Sequence, residues 1–138
     1  MKFFKIIIFF VFVSNIALAG TNFFNEGLAF FKNQEFDKAK FKFEQDIVFN
    51  PKNEKSYLYL SKIFNKLKKK ELEEKNLNTV ILLNPKNEEA TYNLAQLKLK
   101  ESDYEESKKL VEQLLNFCKD FCQKSQSLKI DIENSIKK

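Results

Sequence analysis

The chain of 138 residues contains no histidine, no tryptophan and no arginine, and it has only two glycines and two prolines. Histidine is the usual acid-base group near neutral pH and the commonest metal ligand, so both roles lose their main candidate. Two glycines do not supply a glycine-rich phosphate-binding loop. Arginine pairs with phosphates and guanine edges through its planar fork, and its absence argues against a nucleic-acid site. The composition therefore predicts a non-enzymatic protein with no catalytic residues, no metal and no cofactor, and no nucleic-acid partner.

The first 19 residues have the layout of a secretory signal peptide. A basic start is followed by an apolar core, Ile6 to Val13, and by the small-x-small cleavage site Ala17-Leu18-Ala19. The 14 residues from Ile6 to Ala19 fall short of the roughly 20 that a membrane-spanning helix needs. We expect cleavage near Gly20 and export to the periplasm or out of the cell. The alternative is an uncleaved signal that anchors the protein in the inner membrane.

One pentapeptide occurs twice at a fixed distance. Asn-Pro-Lys-Asn-Glu stands at residues 50–54 and again at 84–88, which is a separation of 34 residues. The apolar residues Phe49, Leu83 and Phe117 follow the same spacing. The agreement between the two patterns indicates an internal repeat of 34 residues.

The pentapeptide itself has the features of a joint between two helices. We expect Asn50 and Asn84 to end helices in the left-handed conformation, because asparagine tolerates it and the following proline cannot continue a helix. Asn53 and Asn87 are then placed to cap the next helices, each followed by a glutamate that the helix dipole favours. The motif is predicted to be a structural element rather than a ligand site.

With Pro51 and Pro85 at the closing position, the chain resembles the signature of the tetratricopeptide repeat (TPR) family. The first copy matches at Phe23, Gly27, Phe30, Ala39 and Phe43. The second matches at Tyr57, Leu60, Ser61, Phe64 and Leu77, with Glu73 in place of a small residue. The third copy is weaker and matches at Leu94, Ala95, Ser107 and Val111.

The resemblance implies an all-α fold, an antiparallel helix-pair solenoid built from three TPR-like repeats. The repeat domain would span residues 20–121, with repeats at about 20–53, 54–87 and 88–121. Residues 122–138 would form a capping helix that closes the end of the solenoid. Its apolar residues are expected to cover one face: Leu128, Ile130, Ile132 and Ile136.

The family lines its concave groove with the first helix of each repeat, which implies a site for a protein or peptide partner. The residues predicted to face the groove are Phe24, Leu28, Phe31, Lys55, Leu58, Lys62, Asn65, Tyr92 and Gln96. Aromatic, lysine and amide groups together suit an amphipathic helix or an extended peptide with some acidic character. The sequence thus predicts an adaptor or scaffold of the cell envelope. The alternatives are a membrane-tethered subunit of an envelope assembly, if the signal is retained, and a self-associating structural protein, a homo-oligomer.

Two local features complete the prediction. Cys118 and Cys122 lie where the third joint lacks its Asn-Pro pair, and in an exported protein they are expected to form a disulfide that staples this turn. Two free thiols, or a redox or metal role, are the alternatives. The basic run 66–70 could touch anionic lipid, but the acids that follow it favour a solvated turn whose charges compensate one another.

Overall fold

The computed structural model describes residues 20–137, and all regular secondary structure within that range is α-helical. The predicted signal segment lies outside the described residues. The helices are α1 Gly20–Lys32, α2 Phe36–Phe49, α3 Glu54–Lys66, α4 Lys70–Leu83, α5 Glu88–Lys100, α6 Tyr104–Leu115 and α7 Cys122–Ile136. The predicted all-α fold class is confirmed.

The chain forms two compact units, which divide after Ser56. In the first unit α1 packs closely on α2, around the buried residues Ala39 and Phe43. A Cβ atom added at Gly27 would lie 2.7 Å from the ring of Phe43, so only glycine allows this close approach. The aromatic ring of Phe43 thus fills the space that the missing side chain leaves.

The second unit, which begins at Tyr57, has its own core. Its buried cluster joins α3 to α7 through Leu58, Leu77, Val80, Ala90, Leu94, Ala95, Leu97, Leu110, Val111, Leu128 and Ile132. The capping helix α7 contributes Leu128 and Ile132, whereas Ile130 and Ile136 are 57% and 54% exposed. The prediction of one apolar face was wrong for these two residues. At about 100° per residue, Ile130 points away from Leu128, and Ile136 lies in the last turn of the helix.

The turns within the three repeats share one geometry. Gln34, Lys68 and Ser102, spaced by 34 residues, have φ angles of 62°, 56° and 62°. In each case the next residue donates its N–H to a carbonyl in the last turns of the preceding helix, as in Glu35 N to Phe30 O at 2.9 Å. This is the pattern of a left-handed helix terminus. None of these residues is glycine or asparagine, the residue types that usually adopt a positive φ. The sequence therefore did not predict the left-handed conformation at these positions.

The joints between repeats end their helices differently from our expectation. Asn50 and Asn84 have φ angles of −128° and −140°, so the predicted left-handed conformation is wrong. Each donates its backbone N–H to the carbonyl four residues earlier, Asp46 and Val80 respectively. The following proline explains the difference, because its ring drives the preceding residue into the extended region.

Candidate partner-binding surface

In the first unit the groove residues predicted from sequence are partly occupied by contacts within their own helix pair. The Phe24 ring lies 5.7 Å from that of buried Phe43, and the Phe31 ring lies 5.7 Å from that of Phe36. Both side chains are half-buried, as is Leu28, while Lys55 at the start of α3 is exposed. The aromatic groups of this unit therefore stabilise the α1–α2 pair as well as presenting a surface.

In the second unit an ion pair joins the first helices of two repeats. Lys62 on α3 and Glu89 on α5 approach to 2.8 Å. The Lys62 ammonium also lies 4.7 Å from the centroid of the Tyr59 ring. The ammonium is thus held by a carboxylate and by an aromatic face, which orients a long and otherwise flexible side chain.

Beside this pair, aromatic and amide groups connect α5 to the start of α7. Gln96 Nε2 donates to Tyr92 Oη at 3.1 Å, and the Tyr92 ring lies 5.5 Å from that of Phe121. Lys124 Nζ lies 4.8 Å from the centroid of Phe121. Phe121 and Lys124 were missed by sequence reasoning. Phe121 lies in the segment that replaces the third Asn-Pro joint, and that position was the available signal for it. Lys124 lies in the first turn of α7.

Two residues predicted to face a groove are used elsewhere in the second unit. Leu58 is only 8% exposed and belongs to the core cluster, so it has little surface to offer a partner. Asn65 Nδ2 donates to Glu73 Oε1 at 2.8 Å. Both assignments followed the family resemblance and helical spacing, which do not show how closely the neighbouring helices approach.

The partner of Asn65 is a buried acid. Glu73 occupies the position where the repeat usually carries a small residue, and it is buried in α4. Burial raises the pKa of Glu73, and the hydrogen bond from Asn65 opposes that rise without cancelling it. The amide of Asn65 therefore compensates a charge that the fold would otherwise leave without a hydrogen-bond donor.

The loop between α6 and α7 is fixed by a disulfide and by a carboxylate. Cys118 and Cys122 are bonded, with their Cα atoms 5.3 Å apart. Glu88, the last residue of the second pentapeptide, accepts hydrogen bonds from the backbone N–H groups of Lys119, Asp120 and Phe121 at 2.8, 3.0 and 2.9 Å. Desolvation opposes ionisation, but these three donors together hold the pKa of Glu88 below its usual value. The loop that carries Phe121 is thereby tied to the start of α5.

The surface formed by Lys62, Glu89, Tyr92, Gln96 and Phe121 offers hydrogen-bonding groups, one ion pair and two aromatic faces. Within residues 20–137 no group of three cysteine or acidic side chains is arranged to hold a metal ion. No helix in that range is long and apolar enough to cross a bilayer. The arrangement suits reversible contact with a peptide chain, because aromatic faces provide contact area and charged groups provide orientation.

The fold matches those of solved TPR domains. The chain resembles the first TPR of Spaghetti (RPAP3) bound to an HSP90 peptide, with 19% identity and a TM-score of 0.77 over 86% of this chain and 94% of that chain. It resembles the TPR2B domain of yeast Sti1 in its Hsp70 complex, with 13% identity, a TM-score of 0.77 and coverage of 84% and 97%.

A third similar structure is the Yersinia enterocolitica type III secretion chaperone SycD with a peptide of the translocator YopD. It has 11% identity, a TM-score of 0.77 and coverage of 83% and 92%. No protein-family model and no curated relative matches the chain. These likenesses confirm the tetratricopeptide-type helical-repeat fold.

Proposed function

We propose that this protein is a non-enzymatic adaptor of the cell envelope that binds a peptide or a helix of a partner protein. The observation that carries the proposal is the surface around Tyr92, where the Lys62–Glu89 pair, Gln96 and Phe121 converge from α3, α5 and the start of α7. Structures of similar fold were solved with peptides bound, which supports a peptide as the class of partner.

The chemistry of the surface favours a partner segment with both apolar and polar groups. Tyr92 and Phe121 offer ring faces against which an apolar side chain can pack. Gln96 is an amide that can pair with the main chain of an extended peptide. Lys62 is held by Glu89, and an acidic residue of the partner would have to compete with that carboxylate. We therefore expect aromatic contact to supply most of the affinity and charge to supply selectivity.

The envelope setting of this proposal depends on the predicted signal peptide, residues 1–19. The measurement that tests it is the mass of the mature protein together with cell fractionation. A chain that begins near Gly20 and is released with the periplasmic fraction is the expected result. A retained segment in the membrane fraction would favour the tethered alternative, and a chain that stays in the cytosol would refute export.

Binding at the surface is tested by crosslinking at a single position in living cells. A photo-crosslinking amino acid replaces Gln96, and the captured peptide is identified by mass spectrometry. The matched control places the same residue at Gln113, which is exposed on α6. We expect one dominant partner from position 96 and none of it from position 113. Equal capture at both positions would refute the surface assignment.

The identified segment is then synthesised, and its affinity is measured by titration calorimetry. Tyr92→Ala should weaken binding by about tenfold or more, because a central aromatic contact is typically worth over 1 kcal/mol. The control Tyr104→Ala removes a half-buried tyrosine from α6 and should leave affinity unchanged while the fold is retained. Light scattering during the same titration reports whether a second copy of the chain, rather than another protein, occupies the surface.

A further inference from the structure

The three turns within the repeats have the same backbone geometry but very different charge. Residues 32–38 carry no net charge. Residues 66–72 contain four lysines and one glutamate, which gives +3, and residues 100–106 contain one lysine and four acids, which gives −3. Because Gln34, Lys68 and Ser102 have nearly equal φ angles, backbone shape does not require either charge. The charges of the second and third turns need separate explanations.

The third turn uses its acidic groups within the fold. Asp103 caps α6 by accepting from Glu106 N at 3.2 Å. Glu106 pairs with Lys109 at 3.1 Å, and Glu101 lies 3.5 Å from Lys98. Most of the negative charge on this turn is therefore accounted for by contacts with neighbouring residues.

The second turn leaves its positive charges without such partners. Within the described residues, no ion pair involves Lys66, Lys68, Lys69 or Lys70. All four side chains are exposed. Of the acids that follow the turn, Glu73 is buried against Asn65 and Glu74 pairs with Lys98. Lys70 acts on the Glu73 carboxylate only at a distance longer than that of an ion pair. A concentrated positive patch remains open to solvent.

Two leucines stand among these lysines. Leu67 and Leu72 are 39% and 40% exposed. Leu72 also lines a shallow pocket of about 370 Å³ together with Lys68, Lys69, Lys70 and Glu71. Exposed apolar side chains ringed by lysines are typical of surfaces that meet a lipid bilayer, where the leucine enters the headgroup region and the ammonium groups stay with the phosphates.

We infer that the basic turn 66–72 binds an anionic lipid surface. Lys66, Lys68, Lys69 and Lys70 contact lipid phosphates, and Leu67 and Leu72 enter the interface between them. Lysine near an anionic bilayer contributes about fivefold in affinity per residue, so four together are enough for reversible attachment. An acidic protein would satisfy the lysines but gives no reason for the exposed leucines, and the absence of arginine disfavours RNA. The turn shares no residue with the proposed peptide surface around Tyr92.

The absence of tryptophan from the chain permits a direct test. Leu67→Trp introduces a single fluorescent reporter at the turn, and the protein is mixed with vesicles of phosphatidylcholine alone or of an equimolar mixture with phosphatidylglycerol. With the mixed vesicles we expect a blue shift of the emission and quenching by brominated lipid. Both signals should decrease as salt is added. The emission of a tryptophan reports only its immediate surroundings. The signal from position 67 therefore measures lipid contact at the turn even if residues 1–19 also bind the vesicle.

Two matched variants decide the outcome. Leu82→Trp places the reporter at a residue of α4 that is 80% exposed but outside the basic turn, and its emission should not shift. In the Leu67→Trp background, Lys68→Gln with Lys69→Gln and Lys70→Gln should weaken binding by about 100-fold. Lys52→Gln with Lys86→Gln, at exposed joint positions, should weaken it by less than about fivefold.

Four results would overturn the inference. The first is no shift at position 67 with anionic vesicles, and the second is an equal shift at position 82. The third is an equal loss per charge removed in both lysine sets, which would mean that only net charge matters. Tight binding of polyglutamate or RNA, with no response to vesicles, would assign the patch to another class of ligand and would also contradict the inference.

Discussion

The two copies of Asn-Pro-Lys-Asn-Glu have identical residues but different surroundings. At the first joint, Asp46 is buried and accepts hydrogen bonds from Asn50 Nδ2 at 3.0 Å, Asn53 Nδ2 at 2.7 Å and Ser56 Oγ. The carboxylate organises both sides of the turn. The side chain of Asn53 is thus used chiefly as a hydrogen-bond donor.

At the second joint the equivalents of Asp46 and Ser56 are Val80 and Ala90, both buried and apolar. Asn87, the equivalent of Asn53, accepts from Ala90 N at 2.9 Å and serves as an ordinary N-cap. The same five residues therefore act as a polar network in one place and as a cap over an apolar core in the other. Residues four positions before and two after the motif decide which role it takes.

The largest difference between the joints should appear when each capping asparagine is changed to aspartate. Asn53→Asp removes a donor and sets a second carboxylate against buried Asp46, so we expect a loss of about 3 kcal/mol at neutral pH. Asn87→Asp keeps the acceptor that caps α5 and adds a favourable charge at a helix N-terminus, so stability should change by less than about 0.5 kcal/mol. Urea unfolding followed by circular dichroism measures both changes.

Each aspartate variant is the control for the other, because they alter the same residue of the same motif. If the two variants lose equal stability, the Asp46 network contributes nothing specific. If Asn87→Asp is the more damaging change, the assignment of donor and acceptor roles at the two joints is reversed.

A second experiment converts the first joint into the second. Asp46→Val alone should cost about 2 kcal/mol, because it leaves the Ser56 hydroxyl and two amides without their acceptor. Ser56→Ala alone should cost about 1 kcal/mol. The double variant recreates the Val–Ala pair of the second joint and should be more stable than the sum of the single losses by about 1 kcal/mol. Strict additivity would mean that the hydroxyl and the carboxylate do not act together.

The sequence predicted the repeat fold correctly, because the 34-residue spacing is recognisable even where individual residues depart from the repeat signature. The 34-residue spacing fixed the joints near Pro51 and Pro85, and the helices α3 and α5 begin at Glu54 and Glu88 as that spacing requires. The left-handed residues could not be predicted, because glutamine, lysine and serine occupy those positions. The backbone hydrogen bonds at these helix ends impose the left-handed conformation. These bonds form without a glycine or an asparagine at the position.

The candidate surface was predicted less well, because side-chain partners depend on contacts between distant residues. Helical spacing selected Lys62, Tyr92 and Gln96, which lie together on the described surface. It also selected Leu58, which is buried in the core, and Asn65, whose amide donates a hydrogen bond to Glu73. Glu73 looked like a defect in the repeat signature, yet its bond to Asn65 explains both residues at once. The unusual residue at position 73 in α4 is thus matched by a hydrogen-bond donor on the neighbouring helix α3.

The third joint lacks the pentapeptide and holds its loop by other means. Reducing the Cys118–Cys122 disulfide, or changing both cysteines to serine, should cost about 2 kcal/mol, because the bond closes a loop of five residues. Mass spectrometry of exported protein, alkylated with and without reduction, establishes whether the bond forms in the cell. Alkylation of both thiols without reductant would show that they are free and that Glu88 alone fixes this loop.

The smallest expected effect concerns Glu88, and its test is pH dependence. The pKa of Glu88 is lowered in the fold from 4.5 by its three backbone donors, against the opposing effect of desolvation. Its ionised form therefore stabilises the protein above about pH 4.5, and the contribution is lost as the pH falls through the lower folded pKa. Glu88→Gln should lower the melting temperature most at neutral pH, and the gap to wild type should narrow in acid.

Glu105→Gln removes the same charge from the first turn of α6 and is the control. A gap of constant size from neutral pH to about pH 3 would mean that Glu88 holds the loop by shape rather than by charge.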